Sequence, residues 1–285
     1  MYQIIVNADD FGRHKLINEA VKRALESGCL RSATVMPGGI AFEEAVEIAR
    51  THADLGLGIH FTLVNGNPIL PPEEIPSLVA ENGKFYDDYG LFVKRYAQGK
   101  VNMEEVRSEL SAQLSKLEAT GVTLTHFDSH QHIHSLPGIT EITIDLACTA
   151  GIKAMRVPAT GLFLNGGLGH DRIGSIIGRA GLRFMATIAG QKAKARGLFT
   201  TEHFAGNVAG RAVNMEDFSA IIKKLGPGTT EIMMHPGTDN GILQSDCRWE
   251  HDFEAELASV CISPADELLR NVRIANFRDI CSTRA

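Results

Sequence analysis

Residues 125–134 read Thr-His-Phe-Asp-Ser-His-Gln-His-Ile-His and hold four of the chain's eleven histidines together with one carboxylate. Residues 124–127 predict a short strand that runs directly into this polar stretch. Neutral imidazole offers a free ring nitrogen near pH 7, so clustered histidine and aspartate indicate a divalent metal site. A polar loop with surface histidines is the alternative interpretation of this stretch alone.

Apolar runs and helical segments alternate on both sides of this stretch. Seven strands are predicted, at residues 3–8, 32–36, 55–61, 124–127, 154–157, 230–234 and 272–275. Strands separated by helices indicate a parallel sheet, and no glycine-rich phosphate loop follows the first strand. We therefore expect an α/β fold, namely a distorted (β/α) barrel, complete or incomplete, with about seven parallel strands.

Two long segments interrupt the alternation. Residues 64–100 contain four prolines, which do not fit inside regular elements, followed by aromatic residues at helical spacing. Residues 159–214 are rich in glycine and lack a clean pattern. No repeat or linker divides the chain, so we expect a single domain over residues 1–285 with insertions at about 64–100 and 159–214. The first insertion is expected to cover the pocket and to help set substrate choice.

The composition narrows the class of protein. A net charge of −6 gives no electrostatic argument for a nucleic-acid partner. Five widely spaced cysteines without a Cys-x-x-Cys pair indicate a reducing compartment. The sequence shows neither a signal peptide nor an apolar run long enough to span a membrane. We therefore expect a cytoplasmic protein.

Reactive side chains recur at or just past the predicted C-terminal ends of strands. They are Asp9, Asp10, His60, His130, Arg156 and His235. In an α/β barrel these ends meet at one face, where active sites lie. Asp10, His60 and His130 would form a two-histidine, one-carboxylate site for a divalent metal, which polarises carbonyl groups and acidifies water. Histidine ligands favour Zn²⁺ or Co²⁺ over Mg²⁺.

Some assignments stay open on the residues alone. His132 or His134 could replace His130 as the ligand, and His130 and His134 would share a face if the segment were helical. Asp128 could orient a ligand imidazole.

The pair Asp9 and Asp10 also allows two interpretations. One aspartate would bind metal while the other acts as a base, provided that a turn at Phe11-Gly12 brings both into one pocket. A plain polar turn is the alternative. His235 is a candidate general acid, although a lone histidine at a strand end is more often structural.

Four motifs together resemble the YdjC-like family of carbohydrate deacetylases. They are Asn-Ala-Asp-Asp-Phe-Gly at 7–12, Gly-Ile-His-Phe at 58–61, the stretch at 125–134 and Met-His-Pro-Gly at 234–237. The proline-rich residues 69–76 are similar to the branch associated with hopanoid biosynthesis. The resemblance implies a distorted barrel, a divalent metal (Mg²⁺ is the metal usually named for the family) and removal of an N-acetyl group from an amino sugar.

The resemblance also implies a role for each matching residue. It assigns metal binding to Asp10, His60 and His130, the base to Asp9 and the acid to His235. Arg156 is similar to the arginine of an Arg-x-Pro motif in the wider polysaccharide deacetylases, where it holds the base. Those enzymes commonly place a second histidine ligand four residues after the first. Val64 occupies that position here, so His130 is needed as the third ligand.

The implied partner is an N-acetylated sugar or glycolipid. A homodimer is one of the oligomeric states that we consider. Residues 172–196 are basic, contain no acid and are interspersed with apolar side chains. Such a segment can lie on an anionic membrane surface, although it is more often a solvated helix face. A metal-dependent phosphoesterase or amidohydrolase would use the same ligands. A non-catalytic sugar-binding protein would need neither the metal nor both aspartates.

Overall fold

The computed structural model describes residues 2–159, 173–206 and 212–282. In this part of the chain, eight strands form one sheet whose pairings are all parallel. The strands are β1 (Tyr2–Phe11), β2 (Ser32–Val35), β3 (Gly56–Phe61), β4 (His126–Ser129), β5 (Ala154–Met155), β6 (His203–Ala205), β7 (Gly228–Met234) and β8 (Arg273–Ile274). Their order is β5-β4-β3-β2-β1-β7-β6, and β8 pairs with β1.

Helices connect the strands. They are α1 (Lys15–Ser27), α2 (Phe42–Thr51), α3 (Tyr89–Ala97), α4 (Met103–Glu118), α5 (Ile139–Thr149), α6 (Ile173–Ala195), α7 (Met215–Lys223), α8 (Asn240–Cys247), α9 (Phe253–Val260) and α10 (Phe277–Ser282). Local sequence explains several of their starts, because an Asp or Asn side chain accepts a first-turn N–H at Asp88, Asn102, Asn214, Asp239 and Asp252. None of the described helices is long and apolar enough to cross a membrane.

β1 lies at the centre of the sheet. Residues 4–11 of β1 are all buried, as expected for a parallel strand covered on both faces. One edge of β1 pairs with β7 along residues 2–8, while β8 pairs with Gln3 and Ile4 and β2 pairs from Asn7 onward. This long central strand carries its last residues to the C-terminal edge of the sheet, between β2 and β7.

The sheet curls until its two ends approach each other. Phe199 pairs with β5, because its N–H donates to the Lys153 carbonyl at 2.8 Å and its carbonyl accepts from Met155 N–H at 2.9 Å. Four residues later β6 pairs with β7. This confirms the predicted α/β fold, a distorted and incomplete barrel. The sequence pattern missed β6, which lies within residues 159–214, where no clean alternation is present.

The predicted first insertion packs on the body of the protein. Phe85 and Phe92 are fully buried, so part of the aromatic stripe serves as core. The Glu109 carboxylate of α4 accepts the backbone N–H groups of Ile69 and Leu70, both at 2.9 Å. These contacts fix the proline-rich residues against α4.

The predicted second insertion contains α6 and β6, but its residues 160–172 and 207–211 lie outside the described residues. Lys192 of α6 pairs with Glu141, and Arg196, which directly follows α6, pairs with Asp145, so both cations face α5. Phe184 of α6 is exposed. Contact of residues 172–196 with a membrane stays a prediction, as does the single domain over residues 1–285.

Candidate active site

The end of β1 is irregular, and this irregularity places both aspartates in the site. The register between β1 and β2 shifts between Ala8 and Phe11, and Asp10 has a φ of 60°. Neighbouring side chains of a regular strand point to opposite faces. A bulge with a left-handed residue changes that alternation, at a cost in backbone strain. Asp9 and Asp10 therefore reach adjacent parts of one buried cluster.

Asp10 lies between two histidines. Its Oδ1 is 2.9 Å from His130 Nδ1 and 3.2 Å from His60 Nε2. One ligand atom from each of these three residues lies within 4.8 Å of the other two, and all three residues are buried. β1, β3 and the turn after β4 supply one residue each, so the three predicted metal ligands are brought together.

Asp128 orients the His60 ring. Its Oδ1 is 2.6 Å from His60 Nδ1, and its Oδ2 accepts from Thr34 Oγ1 at 3.1 Å. A proton held on Nδ1 by a carboxylate leaves the lone pair on Nε2, the nitrogen that faces Asp10. Burial alone would lower the pKa of His60, but Asp128 and Asp10 raise it to about 10. The surroundings of His60 thus favour a positive charge.

The residues fit a divalent metal. Nε2 of His60 and Nε2 of His130 are both buried, and neither has a hydrogen-bond partner in the part of the chain that the structure describes. Buried nitrogens without partners are costly, and here both belong to imidazoles that contact the same carboxylate. The donor set of two imidazoles and one carboxylate is common for zinc in catalytic sites.

The turn at residues 130–135 separates His130 from the other two candidate ligands. Gln131 and His132 have left-handed backbone angles, so His130 and His134 do not share a helical face. His134 Nδ1 is 2.6 Å from Ser129 Oγ, and its Nε2 is 3.1 Å from the Arg156 carbonyl. His132 lies outside the Asp10 cluster, with its ring against Phe204. This placement favours His130 over the alternatives.

Arg156 joins the second aspartate to the centre. Its guanidinium is fully buried and binds both oxygens of Asp9 at 2.6 Å. Nη1 also lies 2.6 Å from Asp128 Oδ2, and Nε donates to Glu231 Oε1 at 2.7 Å. Arg156 therefore holds Asp9 in place and contacts the carboxylate that orients His60.

Sequence reasoning missed Glu231, which lies in β7. An acidic residue inside an otherwise apolar predicted strand was the signal that could have found it. Burial raises the pKa of Glu231 to about 7, even though Arg156 beside it favours the charged form. One guanidinium thus faces three carboxylates, and Glu231 is the one held near its neutral form.

His235 follows β7 and is a second neighbour of Asp9, beside Arg156. Its Nε2 is 3.9 Å from Asp9 Oδ2, and its Nδ1 is 3.7 Å from Glu256 Oε2. Glu256 also accepts the backbone N–H of His235. Burial alone would lower the pKa of His235, but Glu256 and Asp9 raise it. Glu256 on α9 was missed, because its place in the sequence is that of an ordinary helix-surface acid.

A pocket of about 340 Å³ opens beside the centre. Arg13 forms part of its wall, donating to Asp10 Oδ2 at 2.8 Å and to Asn65 Oδ1 at 3.0 Å. The predicted first insertion supplies Asn65, Gly66, Asn67, Asn82, Lys84 and Asp87 to the lining. Tyr86 and Tyr89 are not among the lining residues. The insertion thus borders the pocket through amide and charged groups rather than through its aromatic stripe.

Comparisons with known proteins show which family the chain resembles over most of its length. The family model described as YdjC-like protein matches residues 3–271. A carbohydrate deacetylase from Geobacillus stearothermophilus is 31% identical over 281 residues, covering 96% of both chains. A carbohydrate deacetylase from Brevibacillus brevis is 32% identical over 243 residues, covering 85% of this chain and 84% of the relative.

The fold is shared with a solved structure. A protein from Enterococcus faecalis V583, described as a cellobiose-phosphate cleavage protein, has a TM-score of 0.75 at 25% identity and covers 98% of both chains. Together with the match over residues 3–271, this confirms the resemblance drawn from the four motifs. The chain belongs to the YdjC-like protein family.

Proposed function

We propose that the protein is a metal-dependent carbohydrate deacetylase, which hydrolyses the N-acetyl group of an amino-sugar-containing carbohydrate or glycolipid. Relatives named carbohydrate deacetylase support the reaction class. The observation that carries the proposal is the buried cluster of Asp10, His60 and His130, with Asp9 and His235 beside it. A metal-binding set next to a paired carboxylate and imidazole suits amide hydrolysis.

Asp10, His60 and His130 would hold one divalent cation. When bound, the cation supplies a Lewis acid that polarises the acetyl carbonyl group and acidifies water. Two imidazoles favour Zn²⁺ or Co²⁺, whereas the family resemblance favours Mg²⁺. Asp128 fixes the His60 tautomer, so that Nε2 is free to bind.

Asp9 is proposed as the general base. Arg156 binds both of its oxygens at 2.6 Å, which fixes the orientation of the carboxylate while leaving lone pairs to accept a proton. Asp9 would take a proton from the water that attacks the acetamide carbon. Arg156 acts through Asp9 and is therefore a positioning residue.

His235 is proposed as the general acid. Its position between Asp9 and Glu256 favours the protonated ring. When the C–N bond breaks, the electron pair goes to nitrogen and His235 supplies the proton to the leaving amine. The products are acetate and the free amino sugar.

The contacts of Arg156 also favour amide hydrolysis over phosphoester hydrolysis. A phosphoesterase needs free cations beside its metal to bind phosphate oxygens. Arg156 is already engaged by Asp9, Asp128 and Glu231. These contacts support acetyl transfer to water over phosphoryl transfer.

The test is metal analysis of protein purified without added metal, followed by an acetate-release screen over N-acetylated sugars, oligosaccharides and glycolipids. We expect acetate release that a chelator abolishes and that Zn²⁺ or Co²⁺ restores. Phosphate release without acetate release would reject the proposal, as would acetate release that is indifferent to chelation. Location in the cytoplasm and a homodimer stay predictions.

A further inference from the structure

His251 has no role in the reaction proposed above, yet it is buried close to the site. It is 3% exposed, and among the described residues neither of its ring nitrogens has a hydrogen-bond partner. Its ring stacks on Trp249 with centroids 3.9 Å apart and lies edge-on to Phe253. A buried imidazole whose ring nitrogens lack hydrogen-bond partners costs free energy. Binding of a ligand at these nitrogens would remove that cost.

Glu256 lies between His251 and His235. Its Oε1 is 3.2 Å from His251 Nε2, without the alignment of a hydrogen bond, and its Oε2 is 3.7 Å from His235 Nδ1. Backbone N–H groups of Val213 and His235 donate to the same carboxylate and fix it between the two rings. Burial alone would raise the pKa of Glu256, but the two imidazoles beside it lower this pKa to about 2.

One ligand atom from each of His235, His251 and Glu256 lies within 4.8 Å of the other two. These donors are distinct from Asp10, His60 and His130. The two groups are neighbours, because Asp9, which precedes Asp10, lies 3.9 Å from His235. A set of two imidazoles and one carboxylate is a zinc-type donor set. His235 is 14% exposed, which leaves the group a route to solvent.

We propose that His235, His251 and Glu256 form a second divalent-cation site, suited to Zn²⁺, whose occupation inhibits the enzyme. A cation bound to Nδ1 of His235 would replace the proton that this nitrogen carries in the protonated ring. A ring so bound is a poor acid toward the leaving amine. The inhibition rests on the proposed function of His235, whereas the binding of the cation does not.

The test compares zinc stoichiometry in wild type and in two His251 variants. His251→Phe keeps the ring that stacks on Trp249 but removes both nitrogens, and His251→Gln keeps a polar side chain. By equilibrium dialysis we expect two equivalents of Zn²⁺ per wild-type chain and one in each variant. His251 variants that bind as many equivalents as wild type would overturn the second site. His203→Gln, at an exposed histidine of β6, is the matched control and should bind as wild type does.

Inhibition of acetate release by zinc is a second, independent test. Zinc at about ten times the dissociation constant of the second site should lower wild-type acetate release about tenfold, by mass action. Each His251 variant should show the same acetate release at this zinc concentration as it shows without excess zinc, because the second site has lost a ligand. Equal inhibition of wild type and variants would refute the inhibitory role.

Asp10→Ala separates this inference from the proposed function. It removes a ligand of the first site and leaves His235, His251 and Glu256 intact. The Asp10→Ala protein should still bind one equivalent of Zn²⁺, and Asp10→Ala with His251→Gln should bind none. Loaded with Co²⁺, the single variant should show a visible absorption band that the double variant lacks. Absence of that band in the single variant would contradict the second site, whatever becomes of the first.

Discussion

Two adjacent residues have different proposed roles, since Asp9 is the proposed base and Asp10 is a proposed metal ligand. Asp9 contacts Arg156 and His235, while Asp10 contacts His60 and His130. The left-handed backbone at Asp10 brings the two neighbours into one cluster, because it interrupts the alternation that would point them to opposite faces of the strand.

Substitution of each aspartate should therefore have a different effect. Asp10→Ala removes one of three protein ligands, so the metal content and the activity should both fall severely. Asp9→Asn keeps the shape and leaves the ligands untouched, so metal should remain while turnover falls by roughly 10²–10⁴-fold, as for loss of a general base. Metal content by mass spectrometry and acetate release measure both. The reverse pattern, with metal lost from Asp9→Asn and kept by Asp10→Ala, would mean that the roles are exchanged.

Glu231 makes a pH-dependent contribution to stability. Its pKa is raised from 4.5 to about 7 in the folded protein, so the neutral carboxyl is the favoured form there. The proton on Glu231 stabilises the folded state, and this stabilisation is fully present below pH 4.5. It is lost as the pH rises through about 7. Wild-type stability should then fall relative to Glu231→Gln by on the order of 1–3 kcal/mol between about pH 5 and pH 8.

Urea unfolding of both proteins across this pH range measures the difference. Glu231→Gln keeps an oxygen for Arg156 Nε and removes only the titration. Glu250→Gln, at an exposed position, is the control and should run parallel to wild type. A Glu231→Gln curve that also runs parallel to wild type would show that Glu231 does not titrate in this range.

At the scale of elements, the segment of residues 64–87 is held by α4 and borders the pocket. Glu109 accepts two of its backbone N–H groups and also the Gln113 amide at 2.8 Å. The pocket lining contains residues from both halves of this segment. The buried Glu109 carboxylate is thus one of the contacts that fix the segment at the border of the pocket, beside Arg13 with Asn65 and Glu105 with Ser77.

Glu109→Ala should loosen this segment. It leaves two backbone N–H groups without their acceptor, at about 1–3 kcal/mol each. We expect faster proteolytic cleavage within residues 64–87 and a raised KM with a smaller change in kcat. Limited proteolysis followed by mass spectrometry locates the cleavage. Glu104→Ala, on the exposed side of α4, is the control. Unchanged cleavage and KM in Glu109→Ala would show that other contacts hold the segment.

At the scale of the whole molecule, the candidate centre ties together strands that lie apart in sequence. Asp10 belongs to β1, His60 to β3 and His130 to the turn after β4. A ligand that binds all three in the folded state alone stabilises that state by mass action. The metal is therefore expected to act on the stability of the barrel as well as on the reaction.

Removal of the metal should lower the melting temperature. Free metal at 100 times the dissociation constant adds about 2.7 kcal/mol, or on the order of 5 °C for a chain of this size. Calorimetry with and without Zn²⁺ in the His251→Phe background reports on this centre alone. Asp10→Ala in the same background should lose most of the shift. Equal melting temperatures with and without metal in His251→Phe itself would argue against binding at this centre.

The sequence by itself determined the class of fold and predicted which reactive side chains lie at the C-terminal edge of the sheet. Apolar runs alternating with helical segments indicated a parallel sheet, and strand ends marked Asp9, Asp10, His60, His130, Arg156 and His235. Both signals are local, since they depend on periodicity and on position relative to a strand.

Only the tertiary structure decided which atoms meet. It placed His130 beside Asp10 while Ser129 and the Arg156 carbonyl occupied His134. It also brought Glu231 and Glu256 into the site and closed the sheet through Phe199. These contacts join segments far apart in sequence and depend on backbone angles at single residues such as Asp10, which no local period encodes.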